Sequence, residues 1–326
     1  MKRLAFKWIF GAGLILLMGL ILVNLTLGTD ALSFSRVFAV FFGNGEVLEN
    51  FILFELRLPR LLIVLLAGVS LVLSGSLLQT VLKNDLADPG IIGINSGAGV
   101  GIALFFLFVP FQVESFGALL PLAGGIGALI TAAFILLFSR RSPGSLILNG
   151  IGFAFAMSGL MVLLMSSANR EKVDFLAKWL SGSIWGMDWL FVWIFIGLLV
   201  LITPILFIFN RTLDLLTLNE NTALNLGVRV GMWRVFFLVF AVLLAAVPVS
   251  ITGSITFLGL IGPHIAKALV GPRHKLFLPV AMIIGAFLFL LADTIAMRLN
   301  LPAGILLSLI GSPYFIYLLF KKIKNP

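Results

Sequence analysis

Apolar residues occur in long runs from one end of the chain to the other, with polar residues gathered between them. A helix that crosses a membrane needs about 20 consecutive, mostly apolar residues. Ten runs come close to that length, at about 8–28, 58–82, 91–109, 117–138, 145–167, 190–209, 232–250, 255–270, 276–297 and 303–320. The run at 255–270 is short and is interrupted by glycine and proline. The pattern predicts an all-α polytopic membrane protein with about ten transmembrane helices, some short or broken.

The composition indicates one membrane domain that covers residues 1–326. Hydrophobic residues make up 61% of the chain, charged residues 11%, and the mean hydropathy is +1.19. Ordinary soluble domains are far less apolar and far more charged. Lys2, Arg3 and Lys7 precede the first run, and no small-residue cleavage site follows it. We therefore expect a retained first span rather than a signal peptide.

The basic residues predict the side of the membrane on which each loop lies. With both termini in the cytoplasm, 15 of the 22 Lys and Arg residues face the cytoplasm and 7 face outward. This distribution follows the positive-inside rule, and it explains the net charge of +9 without a nucleic-acid partner. The external loops are then about 29–56 and 168–189, the second with a short amphipathic helix near "FLAKWLSGSIW". The longest cytoplasmic loop is about 210–231.

The chain lacks the residues that several classes of enzyme need. The chain has no cysteine and no G-x-x-x-x-G-K-[ST] phosphate-binding loop, so we do not expect it to hydrolyse ATP alone. Its two histidines, His264 and His274, form no H-E-x-x-H motif and argue against a zinc protease or a serine hydrolase. We interpret His264 as a hydrogen-bonded packing residue. No catalytic residue, metal site or cofactor is therefore expected in this chain.

Carboxylates within the predicted spans are few. Ion-coupled carriers usually keep carboxylates or histidines there. Asp293, late in the ninth run, is the main candidate, and most other acids fall in loops. A proton-driven or sodium-driven transporter or channel therefore stays open as an alternative, and an intramembrane enzyme is the least supported class.

A polar stretch, "NDLADPGIIGINSG", separates the second and third runs at residues 84–97. Irregular backbone at membrane depth is tolerated only where it is buried in protein or lines a water-filled cavity. Gly93, Gly97 and Gly101 are spaced by four and are expected on one helical face. Such a face lets two helix backbones approach closely, so helix packing is the role predicted for these glycines.

Five segments carry a resemblance to a known family. The long ones are "ELRLPRLLIVLLAGVSLVLSGSLLQTVLKNDLADPGIIGINSGAGVG" (55–101), "GSITFLGLIGPHIAKALVGPRHKLFLPVAMIIGAFLFLLADTIAM" (253–297) and "LPAGILLSLIGSPYFIYLLFKK" (301–322), and the short ones are "LILNGIGFA" and "KWLSGSIW". They resemble permease subunits of type II ABC importers for iron–siderophore complexes, haem and cobalamin. The resemblance implies ten spans in the bacterial cytoplasmic membrane. It also implies a second permease subunit, two ATPase subunits that bind ATP and magnesium, and an extracytoplasmic substrate-binding protein.

The resemblance implies a docking role for arginines at the outer mouth. Arg57 and Arg60 belong to the R-L-P-R motif, whose arginines receive acidic residues of the binding protein in this family. A third docking arginine usually follows an aspartate at a fixed distance. Here Met297 takes that place after Asp293, and Arg298 comes one residue later. The alternative for all three arginines is snorkelling of their side chains to the membrane surface.

The cytoplasmic stretch "LNENTALNLGVRVGMWR" resembles the segment that couples the permease to its ATPase. Asn219 is a plausible N-cap of a short helix, and Gly227 would end it in a left-handed turn. Glu220 is the acid of the motif, Ala223 is small enough for a groove on the partner, and Leu226 adds an apolar contact. An ordinary amphipathic loop is the alternative.

The resemblance assigns the polar stretch to a cytoplasmic gate. Asn84 and Leu86 would lie near the constriction, and the turn at Pro143 and Gly144 would face them. Asp85 stands where the family usually has proline, which adds charge and flexibility. A purely structural turn is the alternative. For the substrate, the motifs favour a ferric siderophore and leave haem and cobalamin open.

Overall fold

The computed structural model describes residues 2–27, 33–90, 93–109, 119–138, 143–184 and 188–324. Within these residues the chain forms fifteen α-helices and one π-helical segment, and no β-strand. The helices are α1 (Lys2–Thr26), α2 (Phe34–Phe41), α3 (Val47–Phe51), α4 (Leu58–Leu82), α5 (Ile94–Phe108), α6 (Leu119–Phe138), α7 (Pro143–Ser166), α8 (Arg170–Leu180), α9 (Trp189–Ile208), α10 (Asn210–Leu216), α11 (Glu220–Asn225), α12 (Val230–Thr252), α13 (Leu258–Val270), α14 (His274–Leu299) and α15 (Ala303–Lys324).

A helix occupies most of each of the ten predicted apolar runs. Seven helical stretches in the described part of the chain are long and apolar enough to cross a membrane, namely Phe6–Thr26, Val47–Leu82, Leu148–Ser166, Trp189–Ile208, Val230–Thr252, His274–Leu299 and Ala303–Phe320. Three further apolar helices are shorter, at Ile94–Phe108, Leu119–Phe134 and Leu258–Val270. The prediction of an all-helical protein with several helices of membrane-spanning length is confirmed.

Helix α4 lies at the centre of the bundle. Of the apolar stretch that contains it, 78% is buried, compared with 11% for α1. It packs against α9, α12, α13 and α14. A Cβ atom added to Gly68 would come within 2.5 Å of the Gly285 carbonyl oxygen of α14, and one added to Gly75 would overlap the carbonyl of Gly259 in α13. Small residues therefore allow α4 to touch its neighbours backbone to backbone, as is typical of membrane helices.

Serine hydroxyls of α4 add hydrogen bonds to this packing. Ser70 donates to the carbonyl oxygen of Leu244 at 2.8 Å, and Ser74 donates to that of Ala241 at 2.6 Å, both in α12. These serines are fully buried. Without water to replace it, each bond links the two helices at a fixed register.

A π-helical segment, Ile52–Arg57, leads into α4. Pro59 follows it at the start of α4. Proline has no N–H group, and its ring clashes with the carbonyl four residues earlier in a regular α-helix. The N–H of Leu58 instead bonds the carbonyl of Leu53, five residues back, which is the π-helical spacing.

Two of the three glycines predicted to share one helical face pack against the same neighbouring helix. Gly97 and Gly101 face α6, where an added Cβ on Gly101 would collide with the carbonyl of Ala123. Gly93 differs because it precedes α5 as a left-handed N-cap (φ 91°) and faces Ala154 of α7. Its role is the turn before the helix rather than the α5–α6 contact.

The amphipathic helix predicted in the loop 168–189 is present as α8. It begins earlier than expected because Asn169 caps it, accepting a hydrogen bond from the N–H of Lys172. Leu176 and Trp179 form its buried face.

Candidate functional site

Two of the predicted docking arginines line one cleft at the start of α4. The cleft has a volume of about 610 Å³ and is bordered by α1, the π-helical segment, α4, α8 and the end of α14. Arg57 and Arg60 both line it, together with Lys178 from α8. We call it the arginine cleft. Three cations around one opening form a surface suited to acidic groups.

The two arginines have different surroundings. Arg57 donates from Nη1 to the carbonyl oxygen of Leu25 at 2.5 Å, which anchors it to the end of α1. Arg60 forms an ion pair with Asp293, with Nη2 at 2.7 Å from Oδ1 and Nε at 3.4 Å from Oδ2. The Asp293 side chain is 1% exposed and that of Arg60 is 26% exposed. The carboxylate considered above for ion coupling is therefore bound to one of the predicted docking residues.

Arg298 lies apart from this cleft. It is exposed in the last turn of α14, and the cleft is bordered instead by Met297 and Asn300. The structure thus brings together Arg57 and Arg60 but not Arg298. Lys178 belongs to the "KWLSGSIW" motif but was not predicted as a docking residue. It is far from α4 in the sequence, and only the fold shows that both line the same cleft.

The predicted coupling segment, residues 218–234, forms α11 and the start of α12, and α10 precedes it in the same cytoplasmic loop. Asn219 caps α11 as predicted, with its side chain accepting from the N–H of Asn221 at 3.4 Å. Gly227 ends the turn with a φ of 80°, also as predicted. Glu220 forms an ion pair of 3.6 Å with Arg234 at the start of α12.

The structure corrects the role given to Ala223. This residue is 1% exposed and packs within its own chain, so its small size serves the seating of α11 rather than a partner's groove. In α11 and its C-cap the exposed apolar side chains are Leu224, at 52%, and Leu226, at 57%, and Met232 in α12 is 54% exposed. An apolar contact of α11 with another protein would therefore use these two leucines.

The loop 83–90 is an ordered turn. Lys83 closes α4 in the left-handed conformation, with φ 50°. Asn84 then accepts a hydrogen bond from the N–H of Leu86 at 3.1 Å, which is an Asx turn. Leu86 packs against a small apolar cluster that contains Leu260. Together with Asp88, which accepts from the N–H of Gly90 at 2.8 Å, Asn84 therefore satisfies backbone groups that the end of the helix leaves free.

Asp85 is bound rather than free. Its carboxylate lies 2.8 Å from Nζ of Lys267 in α13, and the same ammonium group donates to Oε1 of Gln79 at 2.9 Å. This ion pair ties the charge of Asp85 to α13, and the effect of Asp85 on the flexibility of the loop stays a prediction. Pro143 and Gly144 begin α7, and their contacts lie outside the described side chains.

A second cavity, of about 520 Å³, is lined by hydroxyl-bearing residues and by apolar ones. The hydroxyl groups belong to Ser181, Ser254, Thr256, Ser308 and Ser312, and the apolar side chains to Leu180, Ile305 and Leu309. Thr256 and Ser308 are hydrogen-bonded to each other at 3.0 Å. We call this cavity the hydroxyl groove. Sequence reasoning missed it because its residues come from three separate parts of the chain. In the part of the chain that the structure describes, no cluster of His, Asp or Glu is placed to hold a metal ion.

Comparisons with known proteins agree with this architecture. The model of the FecCD transport family matches residues 15–321. The iron(3+)-hydroxamate import system permease protein FhuG of Bacillus subtilis (strain 168) is 38% identical over 310 residues, which are 92% of this chain and 92% of that protein. The vitamin B12 import system permease protein BtuC of Klebsiella pneumoniae is 34% identical over 330 residues, 98% of this chain and 95% of that protein.

A solved structure gives the same result in three dimensions. It is described as an inward-facing conformation of a metal-chelate type ABC transporter, and it superimposes with a TM-score of 0.85 at 33% identity. The match covers 97% of this chain and 99% of that chain. Together with the family match over nearly the whole length, this shows that the chain belongs to the FecCD transport family and is an ABC importer permease.

Proposed function

We propose that this permease carries a ferric siderophore across the bacterial cytoplasmic membrane, driven by ATP hydrolysis in a partner subunit. The observation that carries the proposal is the 38% identity, over 92% of the chain, to a permease named for iron(3+)-hydroxamate import. ATP and magnesium would bind to the partner, because this sequence has no phosphate-binding loop.

The proposed topology has ten spans and cytoplasmic termini. Seven long apolar helices and three shorter ones supply the spans, and the excess of basic residues on one side supports the orientation. The complete importer would contain a second permease subunit, either another copy or a paralogue. It would also contain two ATPase subunits and an external binding protein. The likeness to an inward-facing ABC transporter supports this assembly.

The arginine cleft would be the docking surface for the binding protein. Arg57 and Lys178 present cations there, and Arg60 is held beside them by Asp293. Acidic side chains of the partner would form charge-assisted hydrogen bonds with this surface, which set register and speed encounter. Arg298 lies at the periphery and would contribute only a long-range charge.

The opposite ends of the helices would couple to the ATPase. Leu224 and Leu226 give α11 an exposed apolar side for a groove on the partner, and Glu220, Ala223 and Gly227 would hold the shape of the segment. Loop 83–90 would be the cytoplasmic gate, and the ion pair of Asp85 with Lys267 would tie it to α13.

The hydroxyl groove would form part of the substrate path. Its neutral hydroxyl groups can form hydrogen bonds with a chelate without binding it tightly, and transport needs release as well as entry. Cobalamin is the second candidate substrate, favoured by the similarity to BtuC, and haem is a third within the same family. An ion-coupled mechanism is less favoured because Asp293 is occupied by Arg60.

The experiment is uptake of radioactive iron with a panel of siderophores, in cells that lack this gene and in complemented cells. Radioactive cobalamin serves as the parallel arm. We expect the deletion to abolish uptake of one ferric siderophore and the gene to restore it. Unchanged iron uptake with lost cobalamin uptake would overturn the siderophore proposal and keep the permease. Uptake that persists after depletion of ATP but stops with the ion gradient would overturn the ABC mechanism.

A further inference from the structure

One buried histidine joins three separate parts of the chain. His274, the first residue of α14, is 1% exposed. Its backbone N–H donates to Oδ1 of Asp214 at 2.9 Å, and its ring Nδ1 lies 2.6 Å from the same oxygen. Its Nε2 lies 2.8 Å from Oγ1 of Thr80 in α4. Asp214 belongs to α10, so a chain of hydrogen bonds runs from α10 through α14 to α4.

The positions of the protons in this series of hydrogen bonds follow from which atoms accept. Burial raises the pKa of the Asp214 carboxyl, but the hydrogen bonds from His274 outweigh burial and bring that pKa below its ordinary value. Asp214 is therefore an ionised acceptor, and Nδ1 of His274 must carry a proton. Asp214 thus fixes the orientation of the ring and aims Nε2 at Thr80. The ring also packs against Phe277, with centroids 4.8 Å apart.

A second contact links the same elements. The ammonium group of Lys83 donates to the backbone carbonyl of Leu218, in the turn between α10 and α11. Lys83 is the C-cap of α4 and the first residue of loop 83–90. The end of α4 is therefore attached to the α10–α11 segment at two points, one turn apart, immediately before the loop.

We propose that Asp214, His274 and Thr80 form a relay that transmits movement of the α10–α11 segment to loop 83–90. The inference rests on the proposed function, in which that segment binds the ATPase and that loop is the gate. Asp214 moves with the segment and is hydrogen-bonded to a buried ring, so displacement of α10 carries His274 with it. His274 in turn pulls on the last turn of α4. All three are positioning residues, because none of them lines the hydroxyl groove or the arginine cleft.

The test separates transport from ATP hydrolysis. The importer complex is purified through a tag on this chain and reconstituted in proteoliposomes with its loaded binding protein. Ferric siderophore uptake and ATP hydrolysis are then measured in the same vesicles. Thr80→Val removes the hydroxyl and keeps the shape. We expect the amount transported per ATP to fall about tenfold, as for a hydrogen bond worth about 1.4 kcal/mol, while ATP hydrolysis stays within about twofold of wild type.

Two controls exclude a general loss of packing. Thr80→Ser restores the hydroxyl and should restore the transport ratio. Thr252→Val removes an equally buried hydroxyl that bonds only within its own helix, to the carbonyl of Pro248, and should leave the ratio unchanged. If Thr80→Val does not assemble, Asp214→Asn tests the relay in the same way. The Asp214 side chain is 37% exposed, so its replacement should be tolerated.

The outcomes are distinct. A transport ratio for Thr80→Val or Asp214→Asn within about twofold of wild type overturns the relay and leaves the permease function intact. An equal fall in the Thr252→Val ratio also overturns it, because loss of packing would then explain the result. Wild-type vesicles that take up siderophore without ATP would instead refute the proposed function on which the relay depends.

Discussion

Removal of the Arg60 side chain should destabilise the protein more than neutralisation of Asp293. The reason lies in the unequal exposure of the two partners, 26% for Arg60 and 1% for Asp293. With Arg60→Met, a carboxylate stays buried, and no other described residue bonds it. Breaking a buried ion pair in this way costs about 3–5 kcal/mol. With Asp293→Asn, the guanidinium still faces the arginine cleft and can be hydrated there, so the loss is about 1.5–3 kcal/mol, that of a hydrogen bond to a charged group.

The double variant sharpens the prediction. Arg60→Met with Asp293→Asn leaves no buried charge, and the cost that remains is that of a buried amide without a partner, about 1–3 kcal/mol. The double variant should therefore be more stable than Arg60→Met alone. The assay is equilibrium unfolding of the purified chain in mixed detergent micelles at pH 7, followed by tryptophan fluorescence and circular dichroism. The reasoning is refuted if Asp293→Asn is as unstable as Arg60→Met, or if the two single losses add in the double variant.

Three further predictions test the docking surface, the helix packing and the external loop. Arg57→Glu should lower siderophore uptake at least about tenfold without loss of the chain from the membrane, because the new carboxylate would meet acidic side chains of the binding protein. Arg170→Glu, on the exposed first turn of α8, is the control and should not lower uptake. Normal uptake by Arg57→Glu would contradict docking. Gly75→Ala should lower the free energy of unfolding by about 1–3 kcal/mol, because the added methyl group meets the Gly259 carbonyl. Gly19→Ala is the control in thermal unfolding, because a Cβ atom added to Gly19 would have nothing within 4 Å. Equal melting temperatures of the two variants would refute the close contact. The hydrogen bond from Arg36 lowers the pKa of Glu49, so this link between α2 and α3 is present above the unfolded pKa of about 4.3 and is lost as the pH falls through the lowered value. The protection of the α2 amides against hydrogen exchange, corrected for the intrinsic rate at each pH, should then fall at acid pH and should already be lower in Glu49→Gln at pH 7. Protection that is independent of pH would contradict this.

Local patterns in the sequence predicted the helices well. The ten apolar runs coincide with ten helices because length and hydropathy are properties of neighbouring residues. The N-cap at Asn219 and the left-handed turn at Gly227 were predicted for the same reason, since each depends on backbone geometry within one turn. Arg57 and Arg60 share a cleft because they are three positions apart, and one helical turn brings such residues to the same side.

Contacts between distant residues could not be predicted in the same way. Asp293 is 233 positions from Arg60, and nothing in either neighbourhood identifies the other as its partner. Lys267 is likewise 182 positions from Asp85, so the loop charge looked free. Ala223 shows the opposite error. A small residue suits a close contact, but only the fold shows that the contact is with its own chain.

The polar contacts of α4 indicate which part of the bundle moves as a unit. At one end, Arg60 joins α4 to α14 through Asp293, and at the other, Thr80 joins it to α14 through His274. Lys267 of α13 adds a bond to Gln79 near that second end. Helices that are linked at both ends and packed backbone to backbone between them cannot slide past each other without breaking buried charge-assisted bonds. We therefore infer that α4, α13 and α14 rotate together. Because the hydroxyl groove is lined both by the segment before α13 and by α15, rotation of this unit relative to α15 would change its width.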